Sequence, residues 1–259
     1  MKKSGVGLVG LLALAGVVGC GGEDGDEVSG GDVDVFFAVD NADVLARAAL
    51  PTPSDLGAGW EVAGRDEFDD GGDADFEVLM EGVPACASLS ALAGIGGLFG
   101  SSDEEEVPAG RANVQMVSAK PGAALPTEAE FEVEIEETVA EVQGGWNLVK
   151  ELIGGEDFED CMLAVMPKAF SEEDLPEGAS IEITSRRPSA QAPNDGVTMS
   201  FDISMDLDVV QFDMAVEMYM WPYGNAKATA TFVGDQNALD ADMIGPSLVA
   251  FEQNLNDAA

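Results

Sequence analysis

The sequence predicts an α+β fold, and three observations carry that expectation. Residues alternate apolar and polar at strand period over 131–136 and 199–207. The apolar parity reverses once, at Val209-Val210, which sets up a hairpin and opens a C-terminal β-meander. Apolar residues also recur at helical spacing, at Phe158, Cys161, Met162 and Val165, and again at Ile244, Leu248, Phe251 and Leu255.

The elements follow in chain order. Met1-Lys2-Lys3 is a basic start, and Gly5 to Val18 is an uncharged run of 14 residues. As a helix that run spans only about 21 Å at ~1.5 Å per residue, short of the ~30 Å hydrocarbon core of a bilayer. A signal segment over 1–19 is therefore favoured over a permanent span. Val17-Val18-Gly19-Cys20 has the aliphatic, small, Gly, Cys order of a lipoprotein signal, with Cys20 as the lipidated residue. The competing reading is an ordinary secretory signal that leaves Cys20 free. Acyl chains on Cys20 would gain about 0.8 kcal/mol per buried CH₂, and two or more chains make anchoring stable. Residues 20–34 are a Gly, Asp and Glu tether with little to bury. Residues 35–259 are expected to form a single extracytoplasmic domain.

Val35 to Val39 is the first apolar run. Asp40 or Asn41 caps a helix from Ala42 to Leu50, which stops before Pro51. A turn-rich segment then leads into a strand at Trp60 to Val62. The six acids of 65–75 fit no register of a calcium loop and read as a solvent loop. A strand is expected over 74–80, and a helix start at Pro84-Ala85-Cys86 runs into Gly94, Gly96 and Gly97. Those glycines lack a dinucleotide fingerprint. Arg111 to Ser118 is a strand with Ala112, Val114 and Met116 on one face. Phe131, Val133 and Ile135 point inward, with Glu132, Glu134 and Glu136 outward. Gly144-Gly145-Trp146 precedes a helical segment over 147–153, and a second helix covers 157–166. A two-residue turn at Asp208-Val209 pairs Leu207 with Val210 and aligns the strands behind them. Trp221 to Asn225 is the next turn, and Ala226 to Val233 the last strand. The methionines of this meander read as core filling rather than metal ligands. Pro246 starts or kinks the C-terminal helix.

Composition narrows the function. Hydrophobic residues make up 46%, enough for a core. Acidic residues number 50 against 11 basic ones. Removal of Lys2 and Lys3 with the leader leaves 9 basic residues and a net charge of −41. Such a charge repels nucleic acid and anionic surfaces and suits a saline medium; the competing reading is an acidic functional surface. There is no His, which excludes the usual Ser–His–Asp and Cys–His sites and His-ligated zinc. With Cys20 lipidated, Cys86 and Cys161 remain as an even pair in an oxidising compartment, and a disulfide is expected. It would close a loop of about 75 residues and stabilise by roughly 4 kcal/mol. Two buried thiols are the alternative.

The order of short motifs resembles a class of actinobacterial-type small lipoproteins and, distantly, the extracytoplasmic sensor domains of bacterial receptor serine/threonine kinases. The motifs are Leu50-Pro51, Asp55-Leu56 and Gly59-Trp60, then Pro84-Ala85-Cys86, then Phe158 to Cys161, and finally the meander with its closing helix. The resemblance covers about residues 42–256 and implies an antiparallel sheet with helices mainly on one face. It transfers no catalytic residue. This chain departs from the class in its acidity, its Met content and its single Cys pair.

Three functions are therefore carried forward. The first is a non-enzymatic binding or sensing module, held on the extracytoplasmic side of the cell envelope through Cys20, with the bilayer and an unidentified small ligand or protein as partners. The second is a structural or cation-binding envelope lipoprotein. The third is a carboxylate-based hydrolase, which needs two buried acids of raised pKa flanking a cleft. No cofactor, catalytic residue or metal site is expected.

Overall fold

The computed structural model describes residues 36–65, 80, 82–87, 108–119, 125–153, 155–169, 179–206 and 211–259. Within them lie seven strands: β1 (Trp60–Arg65), β2 (Gly110–Ser118), β3 (Thr127–Ile135), β4 (Ser180–Ser185), β5 (Val197–Asp206), β6 (Gln211–Tyr223) and β7 (Ala226–Asp235). Five helices accompany them: α1 (Ala42–Ala49), α2 (Pro53–Leu56), α3 (Val139–Ile153), α4 (Glu156–Ala169) and α5 (Ala241–Ala258). The strands form one antiparallel sheet in the order β1-β2-β3-β7-β6-β5-β4. The α+β class and the antiparallel sheet are as the sequence reads.

The helices are divided between the faces more evenly than one covered face would require. On the first face α1 and α5 cover β2, β3 and β7, burying Val114, Phe131, Phe232 and Phe251 together with Tyr219 and Trp221 of β6. On the second face α3 and α4 cover β6, β5 and β4, burying Trp146, Phe158, Met162, Phe201, Ile203 and the even-numbered β6 residues 214–220. The reason is binary patterning. β2 and β3 bury their apolar rows on one side, and β4 and β5 on the other, so each half of the sheet needs its own cover.

Packing in the first core depends on a row of small residues. Ala226, Ala228 and Ala230 on β7 lie between Ile135, Val133 and Phe131 of β3 and Tyr223, Trp221 and Tyr219 of β6, each row in direct register. Small beside large lets the aromatic rings lean over β7 and meet α5. Phe251 stands edge-on to Phe131 at 5.2 Å and to Trp221 at 5.3 Å between ring centroids. Each such pair adds about 1 kcal/mol beyond its burial. α1 sits close enough on β2 that a Cβ on Gly110 would come 2.3 Å from the backbone of Ala42, so only glycine fits.

Most helix boundaries follow their caps. Asp240 accepts from the backbone N–H of Met243 at 2.9 Å and starts α5. Ile244, Leu248, Phe251 and Leu255 are all buried, as their spacing requires. Pro246 lies inside this helix, beyond its first turn, rather than at its start. α1 follows Asn41, whose side chain makes no cap bond. α3 differs from the sequence reading, which placed a break at Gly144-Gly145. It begins eight residues before Asn147, because Thr138 and Glu141 cap each other reciprocally: the Thr138 N–H donates to Glu141, and the Glu141 N–H donates to the Thr138 hydroxyl. Trp221 to Tyr223 belong to β6, so the turn shrinks to Gly224-Asn225. β4 was not foreseen, since Ile181 and Ile183 alone carry its alternation.

The β5–β6 register agrees with the expected hairpin: Met205 faces Phe212, Ile203 faces Met214 and Phe201 faces Val216. The turn at Asp208-Val209 lies outside the described residues. So do the leader with Cys20, the tether, residues 66–75, the glycines 94–97, the acidic segment 101–106 and all of the strand expected over 74–80 except Met80, which has helical rather than extended backbone. Cys86, in a 3-10 turn over Pro84–Cys86, is bonded to Cys161 of α4 across 4.7 Å between Cα atoms, and both are fully buried.

One buried side chain joins three distant segments. Asn225, fully buried in the β6–β7 turn, accepts from the Phe37 N–H at 2.7 Å. It donates to the Phe37 carbonyl at 3.2 Å and to the Glu136 carbonyl at 2.8 Å. Its own carbonyl accepts from the Glu136 N–H. The incoming chain, the end of β3 and the hairpin tip are thereby held together. Asn225→Ala leaves buried backbone groups without these bonds and should lower the unfolding free energy by about 3 kcal/mol. Urea denaturation measures this, and a loss under about 1 kcal/mol would remove the clamp from the account.

Candidate functional site

Alternation on β3 places Glu128, Glu130, Glu132 and Glu134 on the second face, opposite the apolar row. Their neighbours there are Arg111 and Asn113 of β2 and Lys227, Thr229 and Thr231 of β7. This half of the second face is polar, and α3 runs beside it with Val142, Trp146 and Val149 turned inward. A cleft opens between the two, lined by Glu132, Glu134, Lys227, Trp146, Val149 and Met220 among others. Its enclosed volume is about 20 Å³, room for one or two waters.

Charge in the cleft is tightly arranged. Arg111 bridges Glu132 and Glu134, the second contact at 3.2 Å. Lys227 pairs with Glu136, and Asn113 donates to Glu130 at 3.3 Å. Burial is the main reason the Glu134 carboxyl is pushed up to about 7, and the Glu132 charge beside it adds to the effect. Burial also raises Glu132, against the pull of Arg111. The cleft therefore holds a proton near neutral pH and offers a charged rim beside an apolar wall of Trp146, Val149 and Met220. The cleft so presents a polar wall and an apolar wall to its water-sized interior.

A second polar cluster lies on the first face. Glu217 of β6 is fully buried. Its carboxylate accepts from the Ser189 N–H at 2.8 Å, the Ser189 hydroxyl at 2.6 Å and the Tyr219 hydroxyl. Arg186 pairs with it at 3.1 Å and also reaches Asp202 at 3.1 Å, the Gln236 carbonyl at 3.2 Å and the Leu239 carbonyl at 3.0 Å. The Ala190 N–H donates to the Tyr219 hydroxyl at 3.2 Å. Burial, then the neighbouring Glu217, pushes the Tyr219 hydroxyl far above its ordinary value, so it stays a donor. Both Glu217 oxygens are filled from within the chain, which makes this a fastening of the 186–190 segment onto the sheet.

The sequence-level sites fare differently. Cys20 lies outside the described residues. Cys86 and Cys161 are brought together. Glu132 and Glu134 read as outward-facing acids, and alternation alone carried no sign that neighbouring elements would half-bury them. Glu217 did leave a signal, as an acid inside the apolar run Met214 to Trp221. Among the described residues, no three His, Cys, Asp or Glu side chains are grouped to hold a metal.

The raised Glu134 value fixes a pH dependence. A carboxyl raised on folding binds its proton more tightly in the folded state. Its contribution is fully present below the ordinary 4.5 and is lost as pH rises through about 7. Glu134→Gln should therefore be more stable than the parent at pH 8, by about 3 kcal/mol, and close to it near pH 4.5. Thermal melts across that range check this; a variant less stable at pH 8 would contradict the burial of this charge.

No protein-family model matches the sequence, and no curated protein matches it. Among solved structures, the chain is similar to the extracellular domain of PknH from Mycobacterium tuberculosis, with 10% identity, a TM-score of 0.39, and coverage of 83% of this chain and 97% of that one. It is also similar to LpqN, involved in cell envelope biogenesis of Mycobacterium tuberculosis, with 13% identity, a TM-score of 0.24, and coverage of 60% and 72%. Both likenesses are distant.

Proposed function

We propose that this chain is an exported lipoprotein, anchored through Cys20 on the extracytoplasmic side of the cell envelope, whose folded body is a non-enzymatic binding or sensing module. The observation that carries the reading is the buried Cys86–Cys161 bond, because a structural disulfide belongs to an oxidising compartment. The leader and the acidic tether supply the route there. Among the described residues no helix is long and apolar enough to cross a membrane. The bilayer would be engaged through lipid on Cys20, and nucleic acid is opposed by charge.

Support for binding comes from the cleft of β3, β7 and α3, with its paired charges beside Trp146 and Met220. The raised carboxyls of Glu132 and Glu134 favour one other reading, a carboxylate hydrolase. Geometry opposes it. The two acids sit two residues apart on one strand, about 7 Å along it, and one guanidinium bridges both. Glycoside hydrolysis needs carboxyls on opposite sides of the bond to be broken.

Metabolic labelling with an alkyne fatty acid tests the anchor. The parent chain should carry the label and sediment with membranes, whereas Cys20→Ser should lose both properties. An unlabelled parent chain retained in the cytoplasm would end this reading. Melting curves against a lipid and glycan panel test the binding half. A ligand at 100 times its Kd stabilises by about 2.7 kcal/mol, and a panel without any shift would leave a structural envelope role.

A further inference from the structure

The sheet ends in two unlike edges. β1 pairs with β2 through an irregularity between Val62 and Gly64, one of the devices by which natural edges resist further pairing. β4 pairs with β5 over all six residues without a break, and among the described residues no strand lies on its other side. Its side chains divide cleanly. Ile181 and Ile183 turn toward α4 and join the second core. Ser180, Glu182 and Thr184 turn to the other face and are exposed. Behind them on that face stand Ser204 of β5 and Asp213 of β6, together with Asp202, whose charge is already paired with Arg186.

We infer that β4 is a docking edge for an extended segment of a partner protein in which apolar and basic residues alternate, added to the sheet as a further strand. The unbroken register supplies a straight ladder of backbone groups, which gives such additions their affinity. Alternate pockets give them their selectivity. Apolar side chains of the incoming strand continue the Ile181 and Ile183 row beside α4. Basic side chains fall opposite Glu182, where an opposite-charge pair is favourable and a like pair is not. A second copy of this chain is a poor occupant. Antiparallel pairing centred on Glu182 sets the two Glu182 side chains face to face, and any pairing brings together two bodies of net charge −39. This surface is separate from the cleft beside α3, so the inference goes beyond the function proposed above.

The test uses the full chain with three synthetic octapeptides: alternating Val-Lys, a block of four Val followed by four Lys, and alternating Val-Glu. Binding is followed by titration and by hydrogen exchange at residues 180–185. The alternating Val-Lys peptide should bind at least tenfold tighter than the block peptide and slow exchange at 180–185. Glu182→Lys, an exposed change that should leave the melting temperature where it was, should weaken Val-Lys binding at least tenfold and favour Val-Glu instead. Equal binding of the two lysine peptides would mean mere charge attraction and would overturn the inference. So would protection outside β4, or protection of β4 that depends on protein concentration without peptide.

Discussion

β6 is apolar on both sides, and both cores depend on it. Met214 to Trp221 are buried without interruption. Ala215, Tyr219 and Trp221 enter the core under α5, while Met214, Val216, Met218 and Met220 enter the core under α3 and α4. The flanking strands alternate apolar with polar: β5 supports the second core only, and β7 supports the first, with Val233 alone of its residues reaching the second. The sheet is therefore apolar on diagonally opposite halves, and β6 is where those halves overlap. A substitution in this strand is felt on whichever side it faces, and a shift of its register by one residue would exchange the two sets outright.

Burial on both sides leaves little room for polarity, which explains the elaborate treatment of Glu217. A carboxylate in such a place is tolerated only when its oxygens are fully hydrogen-bonded. Arg186, Ser189 and Tyr219 meet that requirement, and in doing so they hold the segment after β4 against the first face. Asn225 solves a similar problem at the hairpin tip, where the backbone of the incoming chain and of Glu136 would otherwise lack partners. The two proposed interaction surfaces come from the other half of the same arrangement. Where a core leaves a face uncovered, the sheet is polar. On one such half lies the glutamate row beside α3, and on the other the acidic flank of β4.

Much of this was legible in local pattern. The parity change at Val209-Val210 carried the β5–β6 register, because strand period is two and only one alignment keeps both apolar rows together. The faces of β2, α4 and α5 were legible for the same reason. Gly144-Gly145 misled, since glycine weakens a helix by only about 1 kcal/mol per residue, and burial of Val142, Trp146, Val149 and Leu152 together with the Thr138–Glu141 cap outweighs the pair. β4 was too short for its alternation to stand out. The cleft was least visible. Glu132 and Glu134 look like any exposed acids on an amphipathic strand, and their burial depends on α3, which lies elsewhere in the sequence. The Asn225 contact to Phe37 spans 188 residues, beyond any local signal.

The central claim is that β6 joins two cores that cannot stand apart, and native-state hydrogen exchange tests it most directly. If the claim holds, the amides of 214–221 and their β7 partners exchange last and together, through global unfolding alone, and substitutions in either core lower their protection equally. If instead β6 exchanges early while β2, β3 and β7 remain protected, the two halves are separate units and the claim fails.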